Sequence, residues 1–303
     1  MQLQILRQPE YLSPSGYSTF NSCNHKYFLR YMSGIQFPRS PQGGPAGVGS
    51  AFDSMVKAEL ATILGLGDDP KFNILNLLKD TVEPHNEVHI PFANRLFETY
   101  KTSGRFDSLV RDGIRSIDLD KKGVLTDDEG HSVPYYVRPD LLDAQYRVCE
   151  LKVRGALSNS GASPTPGFRN GWRSTGKLDY PHERYKDNFD LLHPEWAGQL
   201  LLYTWSSQGL ILDRPIAIRV EECSVRGNTI TFTTIESQIS VDFAKQFWKD
   251  YYTAWDDICN GRIRPAAPCE MTCMAYNQLC EAASHCEAHH KLEQNPDLKF
   301  LKS

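Results

Sequence analysis

No stretch of this chain is long and apolar enough to suggest a membrane span. An internal repeat and a long low-complexity tract are missing as well, which leaves a globular protein. Strong charge of either sign is also lacking: 33 Lys and Arg oppose 37 Asp and Glu, a formal net charge of −4. Nucleic acid would therefore be held by a local patch and not by the field of the whole molecule. The first residues, Met1 to Glu10, lack the basic start, apolar core and small-residue cleavage site of a secretory leader. A reducing cytoplasm is the expected setting, and there eight cysteines point to metal or packed thiols ahead of disulfides. The 303 residues, 40% of them hydrophobic, suffice for a substantial core in one large domain or one with appendages.

Against this background residues 138–152 stand out: Arg138-Pro139-Asp140, then Glu150-Leu151-Lys152, within alternating, β-rich sequence. If the chain reverses about Gln145, Asp140 and Glu150 become cross-strand partners with Cβ atoms roughly 5 Å apart. Period-two alternation puts Glu150 and Lys152 on that face and turns Cys149, Leu151 and Val153 to the core. Two carboxylates supply the hard oxygens that Mg²⁺ or Mn²⁺ prefers, beside an amine able to orient or deprotonate a water. Such a set suits phosphodiester hydrolysis.

Two flanking helices add candidates. Around Gly47-Val-Gly49-Ser50, glycines end a loop, Ser50 is a capping residue, and Asp53 falls in the first helical turn. Downstream, Pro194 opens a helix on which Gln199 and Tyr203, four apart, share a face. With these residues the chain resembles the PD-(D/E)xK nuclease superfamily, and within it the RecB-type nucleases, which include CRISPR-associated adaptation nucleases and phage exonucleases. The resemblance covers most of the chain. It implies a restriction-endonuclease-like α/β core with a small mixed central sheet flanked by helices. It further implies Asp140 and Glu150 as metal ligands with the Leu151 carbonyl as a third, Lys152 positioning the attacking water, and Gln199 and Tyr203 near the scissile phosphate or Lys152. The family usually carries a histidine where this chain has Asp53, and a carboxylate can take the place of imidazole as a ligand.

Cys269, Cys273, Cys280 and Cys286 crowd into residues 269–303, while Cys23 stands alone near the amino terminus. Cluster-bearing RecB-type nucleases look similar, with one cysteine near the start and three near the end around an iron–sulfur cluster. The resemblance implies Cys23, Cys269, Cys273 and Cys280 as ligands, with Cys286 as alternate, to a [4Fe–4S] cluster or to Zn²⁺. Cys149, Cys223 and Cys259 lie among apolar or strand residues and read as packed thiols. Residues 152–186 interleave seven Lys and Arg with Phe168, Trp172, Tyr180 and Tyr185. Arg169, Trp172, Arg173 and Lys177 are the candidates for gripping DNA phosphates and stacking bases, from a segment whose Ser/Gly/Pro-rich start reads as a mobile loop.

The expected order is one helix around Ser18–Met32, the Asp53 helix, a helical insertion at about 65–117, and two strand pairs ending at Lys152. The Gln199 helix, strands at Ile216–Cys223 and Thr229–Ile235 turning at Arg226-Gly-Asn, and a helix of about Val241–Asn260 follow. On that last helix Phe243, Phe247, Tyr251, Trp255 and Ile258 form a core stripe. Acids from Asp118 to Glu129 imitate a calcium loop, but Lys122 replaces an oxygen ligand and no exiting helix follows. A hairpin turning at Lys121-Lys122-Gly123 and feeding the Asp140 strand is simpler. Residues 1–268 are thus read as the nuclease domain and 269–303 as a metal-binding tail packed on the amino-terminal helix. DNA is the expected partner, alongside recombination or replication proteins. The competing classes are a non-catalytic nucleic-acid-binding or assembly protein and an iron–sulfur electron carrier. Intact Asp140, Glu150 and Lys152 argue against the first, and the nuclease-like core between the cysteines against the second.

Overall fold

The computed structural model describes residues 7–35, 44–81, 88–157, 194–263 and 280–286. The chain divides into two compact units, residues 40–121 with 137–245, and residues 1–39 with 122–136 and 246–303.

The first of these units is built on a five-stranded sheet in the order β1-β4-β5-β6-β7, with β1 Ile114–Ile117, β4 Leu141–Asp143, β5 Val148–Arg154, β6 Ile216–Arg226 and β7 Thr229–Ile239. All neighbours run antiparallel except β5 and β6, which are parallel, so the sheet is mixed. A parallel pair needs a crossover, and α7 (Pro194–Gln208) lies on it. The β4–β5 reversal is pinned by Asp143, whose Oδ1 accepts from the backbone N–H of Gln145 (3.0 Å) and Arg147 (2.8 Å). Leu141 pairs with Cys149 and Leu142 with Val148, a register that sets Asp140 opposite Glu150.

Helix α3 (Gly44–Ile63) packs on this sheet, with α4 (Ile74–Thr81), α5 (His89–Thr102) and α6 (Arg105–Asp112) around it. It begins well before Ser50, so Asp53 lies in mid-helix and not in the first turn. Pro45 near its start needs no N–H partner there. A Cβ built on Gly49 would stand 3.8 Å from that of Val153 on β5, an ordinary contact that leaves room for a methyl group. Phe52, Val56, Leu96, Tyr100, Phe106, Cys149, Leu151 and Cys223 close the core beneath. The helical insertion ends sooner than expected, since 114–117 is a strand that Gly113, at φ 80°, turns into the sheet.

In the other unit the expected amino-terminal helix is two, α1 (Pro14–Ser22) and α2 (Asn24–Tyr31). The break is at Cys23, extended at φ −161°, where Asn24 Nδ2 bonds the Phe20 carbonyl (2.8 Å) and the Cys23 thiol accepts from Lys26 N (3.4 Å). Side chains thus compete with the helical ladder and restart it. Strands β2 (Lys121–Thr126) and β3 (Ser132–Val137) form a separate hairpin. It turns at 127–131, not at 121–123, because Asp127 Oδ1 holds Glu129 N (3.0 Å) and His131 N (2.8 Å). Trp248 on α8 (Val241–Cys259) donates to Asp127 Oδ2 at 2.7 Å. The stripe on α8 is core at Phe247, Tyr251 and Ile258, while Phe243 and Trp255 are only half-buried. Cys259, expected to be packed, is exposed, because the last residue of the helix falls off that stripe. Among the described residues no helix is long and apolar enough to cross a membrane.

Candidate active site

Asp140 stands immediately before β4, and Glu150 and Lys152 alternate on β5. Asp140 Oδ2 accepts from the backbone N–H of Leu151 at 3.2 Å. Lys152 Nζ donates to Glu150 Oε1 at 2.6 Å and to Gln199 Oε1 at 3.4 Å, and Gln199 Nε2 donates to Tyr203 Oη at 2.7 Å. The ammonium also lies 5.4 Å from the Trp196 ring centre. Trp196, Gln199 and Tyr203 recur at helical spacing on α7, whose other face is buried through Leu200, Leu201 and Trp205. The structure therefore brings Asp140, Glu150, Lys152, Gln199 and Tyr203 together, and it sets the Leu151 amide on Asp140.

Asp53 reaches the same place by a route that spacing did not reveal. Lys57, one turn further along α3 and 4% exposed, binds Asp53 Oδ2 (2.6 Å), Asp140 Oδ1 (2.9 Å) and Asp118 Oδ1 (3.2 Å). Arg138 pairs with the other Asp118 oxygen, and Lys71 donates to the Asp118 carbonyl. Asp118 sits at φ 49°, a conformation Asp tolerates better than most residues. Lys57, Asp118 and Arg138 were missed as site residues. The signal for Lys57 was its i, i+4 relation to Asp53; Asp118 lay within the rejected calcium loop.

Burial, followed by the Asp140 charge, pushes Glu150 up to about 8 and Asp53 up to about 7. Burial opposes ionisation of Asp140 too, but Lys57 and Lys152 outweigh it and hold that carboxyl below its ordinary value. Desolvation works against the charge of Lys152, yet Glu150 and Asp140 keep the ammonium above the usual lysine range. Burial and the Glu150 charge raise the Tyr203 phenol, so it stays neutral.

Asp53 Oδ1 is buried without a hydrogen-bond partner, and Glu150, whose Oε2 is buried as well, meets only the like-charged Asp140 carboxyl on that side. Leaving such atoms unpaired is costly, and a cation is the partner that hard, anionic oxygen accepts best. Among the described residues no three His, Cys, Asp or Glu side chains converge as a closed metal shell. An ion would rest on Asp140 and Glu150 and complete its shell with solvent and phosphate oxygens, the arrangement usual for Mg²⁺.

Of the other candidates, Arg169, Trp172, Arg173, Lys177, Cys269 and Cys273 lie outside the described residues. Cys23 caps α2, and Glu281, next to Cys280, pairs with Arg30 (2.8 Å) and Lys26 (3.5 Å) of that same helix. Cys286 closes a 3₁₀ turn at 283–285.

The fold matches a crystal structure from Eubacterium rectale named "putative exonuclease", with a TM-score of 0.51 over 89% of each chain at 13% identity. At that identity the likeness establishes the architecture, a mixed α/β fold with a central mixed sheet between helices. No protein-family model and no curated protein sequence matches the chain.

Proposed function

We propose that this chain is a Mg²⁺- or Mn²⁺-dependent deoxyribonuclease of the RecB-type PD-(D/E)xK kind, acting as an exonuclease on DNA in recombination, repair or phage replication. The observation that carries the reading is the Glu150–Lys152 pair, set beside Asp140 and locked from behind by Gln199. The name of the Eubacterium rectale structure points the same way. Asp140 and Glu150 would hold the ion, with the Leu151 carbonyl as a further oxygen, while Asp53 is engaged by Lys57. When bound, the ion supplies positive charge to the scissile phosphate and eases deprotonation of the attacking water. Lys152 keeps its proton and orients that water by donating to it. Gln199 fixes Lys152, and Tyr203 fixes the Gln199 amide. Arg169, Trp172, Arg173 and Lys177 would grip the strand. A [4Fe–4S] cluster or Zn²⁺ on Cys23, Cys269, Cys273 and Cys280 would staple the amino-terminal helices to the tail, and the Glu281 pairs with α2 support that placement.

The test is purified protein with labelled linear and circular DNA, with and without Mn²⁺. Linear DNA should be degraded only with metal and circular DNA spared. Inertness toward both, with metal bound, would leave a binding protein that kept the fold. Separately, replacing Arg169, Trp172 and Arg173 together should weaken DNA binding and flatten its salt dependence, since fewer counterions are released.

A further inference from the structure

Three carboxylates converge on Lys57 at 2.6, 2.9 and 3.2 Å, and this amine is nearly sealed from solvent. Asp140 is shared between two sides of the site. Its Oδ1 faces the Lys57 ammonium, and its Oδ2 faces the Leu151 amide beside Glu150. A carboxylate that turns one oxygen to each of two adjacent cation positions is how two-metal phosphodiesterases share a ligand between ions roughly 3.5–4 Å apart.

We propose that Lys57 is a built-in cation filling the second of two cation positions, so that the site takes one divalent ion, on the Glu150 side of Asp140. This rests on the metal-dependent reading above. An ammonium is a compact point charge with three donors, which matches three acceptors from three chain segments. Each acceptor is also held in place. Asp53 shares α3 with Lys57, Asp118 is fixed by Arg138, and Asp140 by Leu151. Taking the amine away would leave three hard-oxygen ligands, whose chemistry suits Mg²⁺ or Mn²⁺ and not softer ions once they close in from their present 2.6–3.2 Å. The buried, partnerless Asp53 Oδ1 is a spare oxygen at that place.

The test counts Mn²⁺ bound to the full chain by equilibrium dialysis and electron paramagnetic resonance. Wild type and Lys57→Arg should bind one ion, and Lys57→Ala two, with the second ion also raising the melting temperature of that variant. Two ions in the wild type would mean that metal displaces the ammonium and would overturn this proposal while leaving the nuclease reading intact. A folded Lys57→Ala with one ion would overturn it equally. So would a Lys57→Ala protein that stays unfolded at millimolar Mn²⁺, because the three carboxylates would then have failed to take an ion. No bound ion and no cleavage in the wild type would sink the metal-dependent reading itself.

Discussion

Two clusters of buried charge sit on opposite faces of the adjoining strands β5 and β6, and they are finished to different degrees. On one face Arg219, 2% exposed, donates to Glu221 through Nε (2.7 Å) and its second guanidinium nitrogen (2.6 Å), and pairs with Asp112. Glu221 also accepts from Thr234 Oγ1 at 3.0 Å. No buried atom of Arg219 or Glu221 is left without a partner. On the other face Glu150 Oε2 is buried against the like-charged Asp140 carboxyl, and beyond Asp140, on α3, Asp53 Oδ1 has no partner. Both clusters carry the desolvation cost of buried ions. The closed one offsets it internally, whereas the open one leaves Glu150 and Asp53 with raised pKa values.

That contrast breaks most visibly at Glu150. Glu150→Gln should lower metal-dependent cleavage by about 10³-fold, since the lost ligand contributes several kcal/mol at about 1.4 kcal/mol per decade. The circular dichroism spectrum and melting curve should stay near wild type, and a comparable loss of fold would make Glu150 a member of a structural cluster. Arg219→Ala should do the reverse. It strands Glu221 as an uncompensated buried charge and should cost about 3–5 kcal/mol in urea unfolding, with cleavage per folded molecule unchanged.

A smaller effect is expected from pH. Glu150 rises from 4.5 to about 8 on folding and Asp53 from 3.8 to about 7. A group whose folded pKa is raised contributes stability that is complete below its unfolded pKa and is lost as pH rises through the folded one. Metal-free protein should therefore lose stability progressively between pH 5 and about 8. Asp140 and Asp118, held low, act only below about 4. On the proposed metal-dependent reading Mn²⁺ would bind the ionised carboxylates, so the rise it causes in melting temperature should grow from pH 6 to 8.5. A metal effect independent of pH, or one retained in Glu150→Gln, would remove Glu150 from the ligand set. The mildest change is Tyr203→Phe, which loses one hydrogen bond to Gln199, about 1 kcal/mol, and should slow turnover several-fold with metal affinity intact.

The open cluster was partly legible before any coordinates. Asp140, Glu150 and Lys152 lie within one hairpin, where alternation fixes faces and a short reversal fixes register, so local sequence carries their geometry. Gln199 and Tyr203 were legible as a helical pair. Lys57 was not, because its partners Asp118 and Asp140 lie 61 and 83 positions away and no local pattern reports on such contacts. The same limit explains the misread turn of the β2–β3 hairpin: Asp127 fixes the real turn together with Trp248, 121 residues on. At Cys23 the failure was local. A thiol acting as a helix cap interrupts a stretch whose apolar spacing reads as one continuous helix.

The parallel pairing of β5 with β6 has a consequence in time. Arg154 and its cross-strand partner Ser224 are 70 residues apart, so the strand bearing Glu150 and Lys152 leaves the ribosome well before the strand that fixes it. At about 5–20 residues per second, the gap lasts roughly 4–14 s. Early in that interval the nascent chain carries the carboxylates and the lysine but neither α7 behind them nor β6 beside them, and α7 is added before β6. A chain under synthesis thus lacks the assembled site, which is complete only once β6 has paired with β5.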